Sequence, residues 1–254
     1  MKTKDFTIKN REDKRILATL RKPEDALKGT MVLLHGLGGW KEQPLLVIIA
    51  DTICRNGYNV VTFDGADGAK GPDGNFEHHT TTGYIHDLED VLGYLKDQDW
   101  YSGPLILAGH SIGALVSLHH TRTHPAQISK LILLAPAVSW TSGLNPLIFS
   151  GGLWWLLRNK NKTPGPERSK LPLDRGWLTD FMKYNMNHDA SYVSAPTLII
   201  SASRDRTVAN PIAQFGLAKR FPDALSVVIP GAGHVFWKHE KRVADTITKW
   251  LTSS

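Results

Sequence analysis

The sequence predicts an α/β domain: an eight-stranded, mostly parallel sheet with helices on both faces and one helical insertion. Three observations lead there. Short apolar runs rich in β-branched residues alternate along the chain with longer segments of helical period. That alternation breaks once, for about sixty residues between Pro136 and Ala195, too long for a structureless loop inside a compact domain. Finally, 254 residues at 41% hydrophobic and 21% charged suit one large core, which excludes wholesale disorder. A single cysteine, Cys54, excludes a disulfide scaffold.

The first two runs, Phe6–Lys9 and Arg15–Leu20, flank the charged turn Asn10–Lys14 and read as an antiparallel hairpin. Thr30–Leu34 is a buried-strand run ended by His35-Gly36. Leu45–Arg55 reads as a helix stopped by Gly57, and Asn59–Phe63 as the next strand. Thr82–Lys96 carries Ile85, Leu88, Val91, Leu92 and Leu95 on one helical stripe. Pro104–Ala108 (strand), Ser111–Thr123 (helix) and Lys130–Leu134 (strand) follow. After the interruption come the strands Thr197–Ser201 and Leu225–Ile229, with helices at Pro211–Arg220 and Lys238–Leu251. The interrupting stretch holds Gly151-Gly152, Thr163-Pro164-Gly165-Pro166 and four of the eight tryptophans, Trp140, Trp154, Trp155 and Trp177. It is expected to be a helical cap over 140–187, with helices near Leu147–Arg158 and Gly176–Asn187, inserted in a core of 1–139 and 188–254.

Net charge is +6, and the cap segment carries much of it, with seven Lys or Arg against three acids between Trp140 and Asn187. No helix-turn-helix, zinc-finger or RNP pattern accompanies the charge, so nucleic acid is not an expected partner. The amino terminus, Met-Lys-Thr-Lys-Asp-Phe, is not followed by an apolar stretch. The longest apolar runs, Leu45–Ala50 and Leu131–Val138, fall far short of the ~20 residues that span a bilayer. A cytoplasmic protein without membrane insertion is the expectation; its oligomeric state is open.

In a sheet of this kind the residues after each strand line the ligand site. Gly109-His110-Ser111-Ile112-Gly113 matches G-x-S-x-G, after a strand and before a helix, the context that motif requires. Small residues two positions either side permit a turn tight enough to project the serine Oγ above the sheet edge, at a helix amino terminus that favours negative charge. A serine hydroxyl needs a base. Of eleven histidines, His234 lies in Pro230-Gly231-Ala232-Gly233-His234, directly after the last strand. The base needs an orienting carboxylate. Asp205 follows Thr197–Ser201 by one turn, with Asp223 the rival, and the order Ser111, Asp205, His234 is the one expected on this architecture.

Attack on a carbonyl also needs donors for the oxyanion. The Ile112 N–H is one; Leu37 in His35-Gly36-Leu37-Gly38-Gly39 is the second, with Gly38 its neighbouring alternative. That glycine run has neither the G-x-G-x-x-G nor the Walker spacing of a phosphate loop. His120 and His124 stand four apart on one helix, but no third ligand accompanies them, so a solvated helix face is expected and no metal. His35 and His110 adjoin the two turns and are expected to serve packing and local hydrogen bonding rather than proton transfer, His78, His79 and His188 have no evident partner, and Cys54 is expected buried and inert. Leu153–Leu157, with Trp154 and Trp155, followed by the basic run Arg158–Lys162, suggests a hydrophobic substrate wall with a basic rim; a membrane-surface contact and a helix simply buried on the core are the alternatives.

Together His35–Gly39, Phe63-Asp64, Gly109–Gly113, Asp205 and Gly233-His234 resemble the α/β-hydrolase superfamily in order and spacing, across nearly the whole chain. Asp73–Glu77, Thr80–Thr82 and Asp87-Leu88 are similar to the capped esterases of the feruloyl/cinnamoyl-esterase and monoacylglycerol-lipase-like branch. After Phe63-Asp64 that family usually has Arg-Gly-x-Gly, where this chain has Gly65–Lys70. The resemblance implies a cofactor-free serine hydrolase that cleaves small-molecule carboxylic esters through an acyl-enzyme. Thioesters, amides, aminoacyl substrates or a carbon–carbon bond are alternatives for the same three residues, and a non-catalytic binding module is the alternative of another class.

Overall fold

The computed structural model describes residues 1–24, 26–73, 75–138, 173–174, 176–186, 189–208 and 216–253. Its eight strands form one sheet in the order β1-β2-β4-β3-β5-β6-β7-β8. They are β1 (Lys2–Lys9), β2 (Arg15–Lys22), β3 (Gly29–Leu34), β4 (Tyr58–Asp64), β5 (Leu105–His110), β6 (Lys130–Leu134), β7 (Thr197–Ala202) and β8 (Ala224–Ile229). β1 pairs antiparallel with β2 and β2 antiparallel with β4; every other pairing is parallel. This is the α/β-hydrolase fold.

All residues of β3, β5 and β7 are buried, as expected of strands covered on both faces. The covering helices are α1 (Pro44–Arg55), α2 (Thr81–Lys96), α3 (Ile112–Thr123) and α5 (Glu240–Thr252), with α1 packed on α5 and α2 on α3. Pro44 opens α1, where its missing N–H costs nothing. The Thr80 hydroxyl caps α2 by accepting from the Gly83 N–H at 2.9 Å. A short helix, α4 (Gly176–Phe181), belongs to the segment returning to β7.

Several boundaries differ from the sequence expectation. The hairpin is longer at its open end, where Lys2–Asp5 pair in register with Thr19–Lys22, beyond the apolar start of the first run. Gly109 and His110 are the last residues of β5, so the G-x-S-x-G segment begins inside the sheet. The last helix starts at Glu240, because Lys238 has a φ of 64° that no helix accommodates. The helix expected over Gly176–Asn187 ends at Phe181. There the Lys183 and Tyr184 N–H groups turn back to Asp180 and Phe181, and the Met186 N–H donates to the Val138 carbonyl at 2.9 Å, returning the chain to the end of β6. The helix expected near Leu147–Arg158, Trp154, Trp155, His188 and the first half of Pro211–Arg220, residues 211–215, lie outside the described residues.

Candidate active site

β3 lies between β4 and β5, so successive connections leave it in opposite directions and open a crevice at the carboxyl edge. Ser111 stands there, between β5 and α3, with φ 56° and ψ −116°. That conformation is strained for a residue with a side chain, and the surroundings impose it. The Ser111 N–H donates to the Leu134 carbonyl at 2.9 Å, and the Ser111 carbonyl accepts from the Ala114 and Ala137 N–H groups at 3.1 and 3.2 Å. A Cβ on Gly109 would collide with the Gly113 backbone, and one on Gly113 would stand 2.5 Å from the His35 carbonyl oxygen. The two glycines let the turn fold against the end of β3.

His234 reaches this serine from the loop after β8. The loop is shaped by Gly231 (φ 79°), whose N–H donates to Ser203 Oγ at 2.8 Å, and by the Arg204 N–H, which donates to the Ala232 carbonyl at 2.8 Å. β7 and β8 are paired to their ends, Ala202 opposite Ile229, so the two following loops emerge side by side. His234 Nδ1 lies 2.8 Å from Asp205 Oδ2, and His234 Nε2 lies 3.0 Å from Ser111 Oγ. A carboxylate accepts, so Nδ1 carries the proton and Nε2 is free to accept from the serine hydroxyl. The other Asp205 oxygen accepts from the Thr207 and Val208 N–H groups at 2.8 and 3.1 Å, which orients the carboxylate. Asp223 is at the opposite end of the sheet, its carbonyl accepting from the Thr197 N–H at the start of β7.

The loop after β3 runs beside the serine turn; a Cβ on Gly36 would stand 3.1 Å from Ser111 Cβ. The Gly39 N–H closes a tight turn on the Gly36 carbonyl at 2.9 Å, with Gly38 at φ 66°. This bond uses neither the Leu37 nor the Gly38 N–H. Ile112 is the first residue of α3, where an N–H has no intrahelical acceptor. Asp64, at the end of β4, accepts from the Lys41 N–H at 2.6 Å and lies 3.9 Å from His35 Nε2. Burial pushes the His35 imidazole pKa down and the Asp64 carboxyl pKa up, so desolvation weighs against a fully charged pair.

Some residues to which the sequence assigns no catalytic role are integral to the surroundings. His110, the residue before the serine, lies with Nε2 2.9 Å from the His234 carbonyl oxygen. The Tyr84 ring stacks on His35 at 5.2 Å between centroids, and burial drives its phenol pKa well up. Tyr84 stands four residues before Leu88 on the apolar stripe of α2, a spacing from which its burial could have been read. The Asp180 carboxylate, on α4, accepts from the Thr82 N–H and hydroxyl at 2.8 and 2.6 Å.

Two expectations need correction. His120 is not on a solvated face: it is 3% exposed and stacked on His124 with centroids 4.4 Å apart. Burial lowers its pKa to about 4, because α3 is a central helix that is covered nearly all round. His79 does have a partner, the Phe76 ring at 5.5 Å, and burial lowers its pKa to about 4. Cys54 is buried, which raises its thiol pKa. Among the described residues no group of three His, Cys, Asp or Glu is placed to hold a metal ion, and no helix is long and apolar enough to cross a membrane.

Comparison with known proteins agrees with the architecture. A monoacylglycerol lipase of Mycolicibacterium smegmatis is 23% identical over 197 residues, 67% of this chain and 69% of that protein. Est1E from Butyrivibrio proteoclasticus, in a structure with ferulic acid bound, superposes with a TM-score of 0.83 at 21% identity over 98% of both chains. A thermophilic esterase from Thermogutta terrifontis superposes with a TM-score of 0.71 at 18% identity, again over 98% of both. The sequence pattern of the family described as serine aminopeptidase, S33, matches residues 25–170, more than half of the chain, and to that family the chain belongs.

Proposed function

We propose that the protein is a serine hydrolase that cleaves carboxylic esters of small molecules through an acyl-enzyme, with Ser111 as nucleophile, His234 as general base and acid, and Asp205 as its orienting carboxylate. The observation that carries this reading is the unbroken chain of contacts from Asp205 Oδ2 through His234 to Ser111 Oγ, at 2.8 and 3.0 Å.

As Ser111 Oγ bonds to the acyl carbon, its proton passes to His234 Nε2, and Asp205 stabilises the imidazolium. The carbonyl oxygen gains negative charge and is held by the Ile112 and Leu37 N–H groups, each worth about 3 kcal/mol in comparable sites. His234 then protonates the departing alcohol. Water, deprotonated by the same Nε2, attacks the acyl-serine, and collapse of the second tetrahedral species returns Ser111 and releases the acid. The positive end of α3 sits beneath the developing charge.

The insertion over 140–187 would cap the crevice, with Trp154 and Trp155 facing an apolar or aromatic acyl group and the neighbouring basic run forming its rim. A lipase for monoacylglycerols and a ferulic acid complex among the similar proteins support that choice of acyl group. The description of the matched family supports amide hydrolysis as a second reading, since the same serine chemistry cleaves both bonds.

Hydrolysis of p-nitrophenyl esters of graded acyl length and of a hydroxycinnamate ester, beside aminoacyl p-nitroanilides, tests both. Ester kcat/KM well above that of the anilides, lost in Ser111→Ala by on the order of a millionfold in kcat, is the expected result. Ester turnover surviving in Ser111→Ala would overturn the proposal. A preference for the anilides would select the second reading.

A further inference from the structure

We propose that His110 is a positioning residue that fixes the height of the His234 imidazole over Ser111, an inference that rests on the serine-hydrolase reading of the site. His110 ends β5, pairing with Leu134 in register, so its backbone is anchored in the buried centre of the sheet. Its side chain is 2% exposed. Nε2 lies 2.9 Å from the His234 carbonyl oxygen. A carbonyl only accepts, so His110 Nε2 carries a proton and donates. The same ring meets the Phe236 ring edge-on at 6.3 Å, and Phe236 is fully buried at a φ of 53°. On its other side, a Cβ on Gly36 would stand 3.0 Å from His110 Nδ1.

One imidazole therefore touches three loops: the serine turn of which it is part, the loop after β3 through Gly36, and the histidine loop through His234 and Phe236. The histidine loop leaves an edge strand and contains two glycines, Gly231 and Gly233, so it has little intrinsic stiffness. The bond from His110 ties the main chain of His234 to the rigid end of β5, beside the serine that the imidazole must reach. His110 touches no reacting atom; it acts through the position of His234. A misplacement of about 1 Å at a reacting group can cost about a hundredfold in rate.

His110→Phe keeps the ring and removes the donor. His110→Gln keeps a donor at the same distance along the side chain, with its amide nitrogen where Nε2 stood. The expected result on the preferred ester is a kcat of His110→Phe about 10- to 100-fold below wild type, with KM within about twofold and little change in Tm. His110→Gln should return kcat to within about threefold to fivefold of wild type. A purely structural role would move Tm and leave kcat of the folded fraction intact. Wild-type kcat in His110→Phe, or a His110→Gln as slow as His110→Phe at wild-type Tm, would overturn the proposal.

A second measurement does not depend on activity. Nitrogen-15 NMR of the wild-type protein, with His110 assigned by its absence in His110→Gln, should show the tautomer protonated on Nε2. A proton on Nδ1 alone would contradict the bond. Ser111→Ala separates the two levels: wild-type and Ser111→Ala samples equally inert toward the whole ester and anilide panel refute the hydrolase reading, while the tautomer still reports on the His110 contact.

Discussion

Gly113 is pressed against the end of β3: a Cβ placed on it would stand 2.5 Å from the His35 carbonyl oxygen and 2.8 Å from that of Leu34. Both atoms are backbone and cannot swing aside. Gly113→Ala should lower stability by about 1–3 kcal/mol, as overpacking of a buried site does. It should also displace the turn that carries Ser111. Thermal unfolding and ester turnover measured together check this. An alanine variant with wild-type Tm and kcat would mean that the turn is looser than the structure has it.

Asp180 ties α4, on the segment returning to β7, to the first turn of α2 through Thr82. Burial raises the pKa of its carboxyl, but bonds from the Thr82 hydroxyl and N–H and from Lys183 outweigh that and leave it below the ordinary value. A carboxyl whose pKa is depressed in the folded state stabilises above its unfolded pKa, about 3.9, and loses that contribution as pH falls through the folded value. Asp180→Asn should therefore cost about 1–2 kcal/mol at pH 7 and progressively less below pH ~4. Denaturant unfolding across that range measures the difference. A gap that persisted at low pH would show that the charge on Asp180 is not what stabilises the contact.

His79 and His120 predict an acid instability of opposite origin. Both imidazoles are buried, and burial pulls each pKa to about 4. Between pH 4 and about 6.5 the unfolded chain binds protons that the folded chain excludes, so stability rises with pH across that window. The limiting slope is about 1.4 kcal/mol per pH unit for each group. His120→Phe should flatten the stability–pH curve between pH 4 and 6.5 and leave it unchanged above pH 7. An unaltered slope would mean that His120 titrates normally in the folded protein.

Much of the architecture was legible because it rests on patterns that neighbouring residues declare. Lys130–Leu134 reads as a buried strand from its apolar run, and the stripe of α2 from the spacing of Ile85 to Leu95. Ser111, Asp205 and His234 were each placed by position after a strand, and parallel pairing brings such positions to one edge. What stayed hidden depends on distant surfaces. His120 and His79 carry polar side chains whose burial follows from packing around α3 and Phe76, which no local period announces. The end of α4 at Phe181 is decided by the bond from Met186 to Val138, nearly fifty residues away in a chain of 254. The sequence suggests packing and local hydrogen bonding for His110, but its partner, the His234 carbonyl, lies more than a hundred residues later, where no local pattern points to it.

The proposed chemistry stands on Ser111 as a nucleophile activated by His234 and Asp205. The most direct measurement is covalent capture: incubation with a fluorophosphonate probe, followed by intact-mass and peptide mass spectrometry. The expected result is one probe per chain on the peptide containing Ser111, no labelling of Ser111→Ala, and labelling of Asp205→Asn slowed by about three to four orders of magnitude. A folded wild-type protein that stays unlabelled, or a Ser111→Ala variant labelled as fast as wild type, would contradict it.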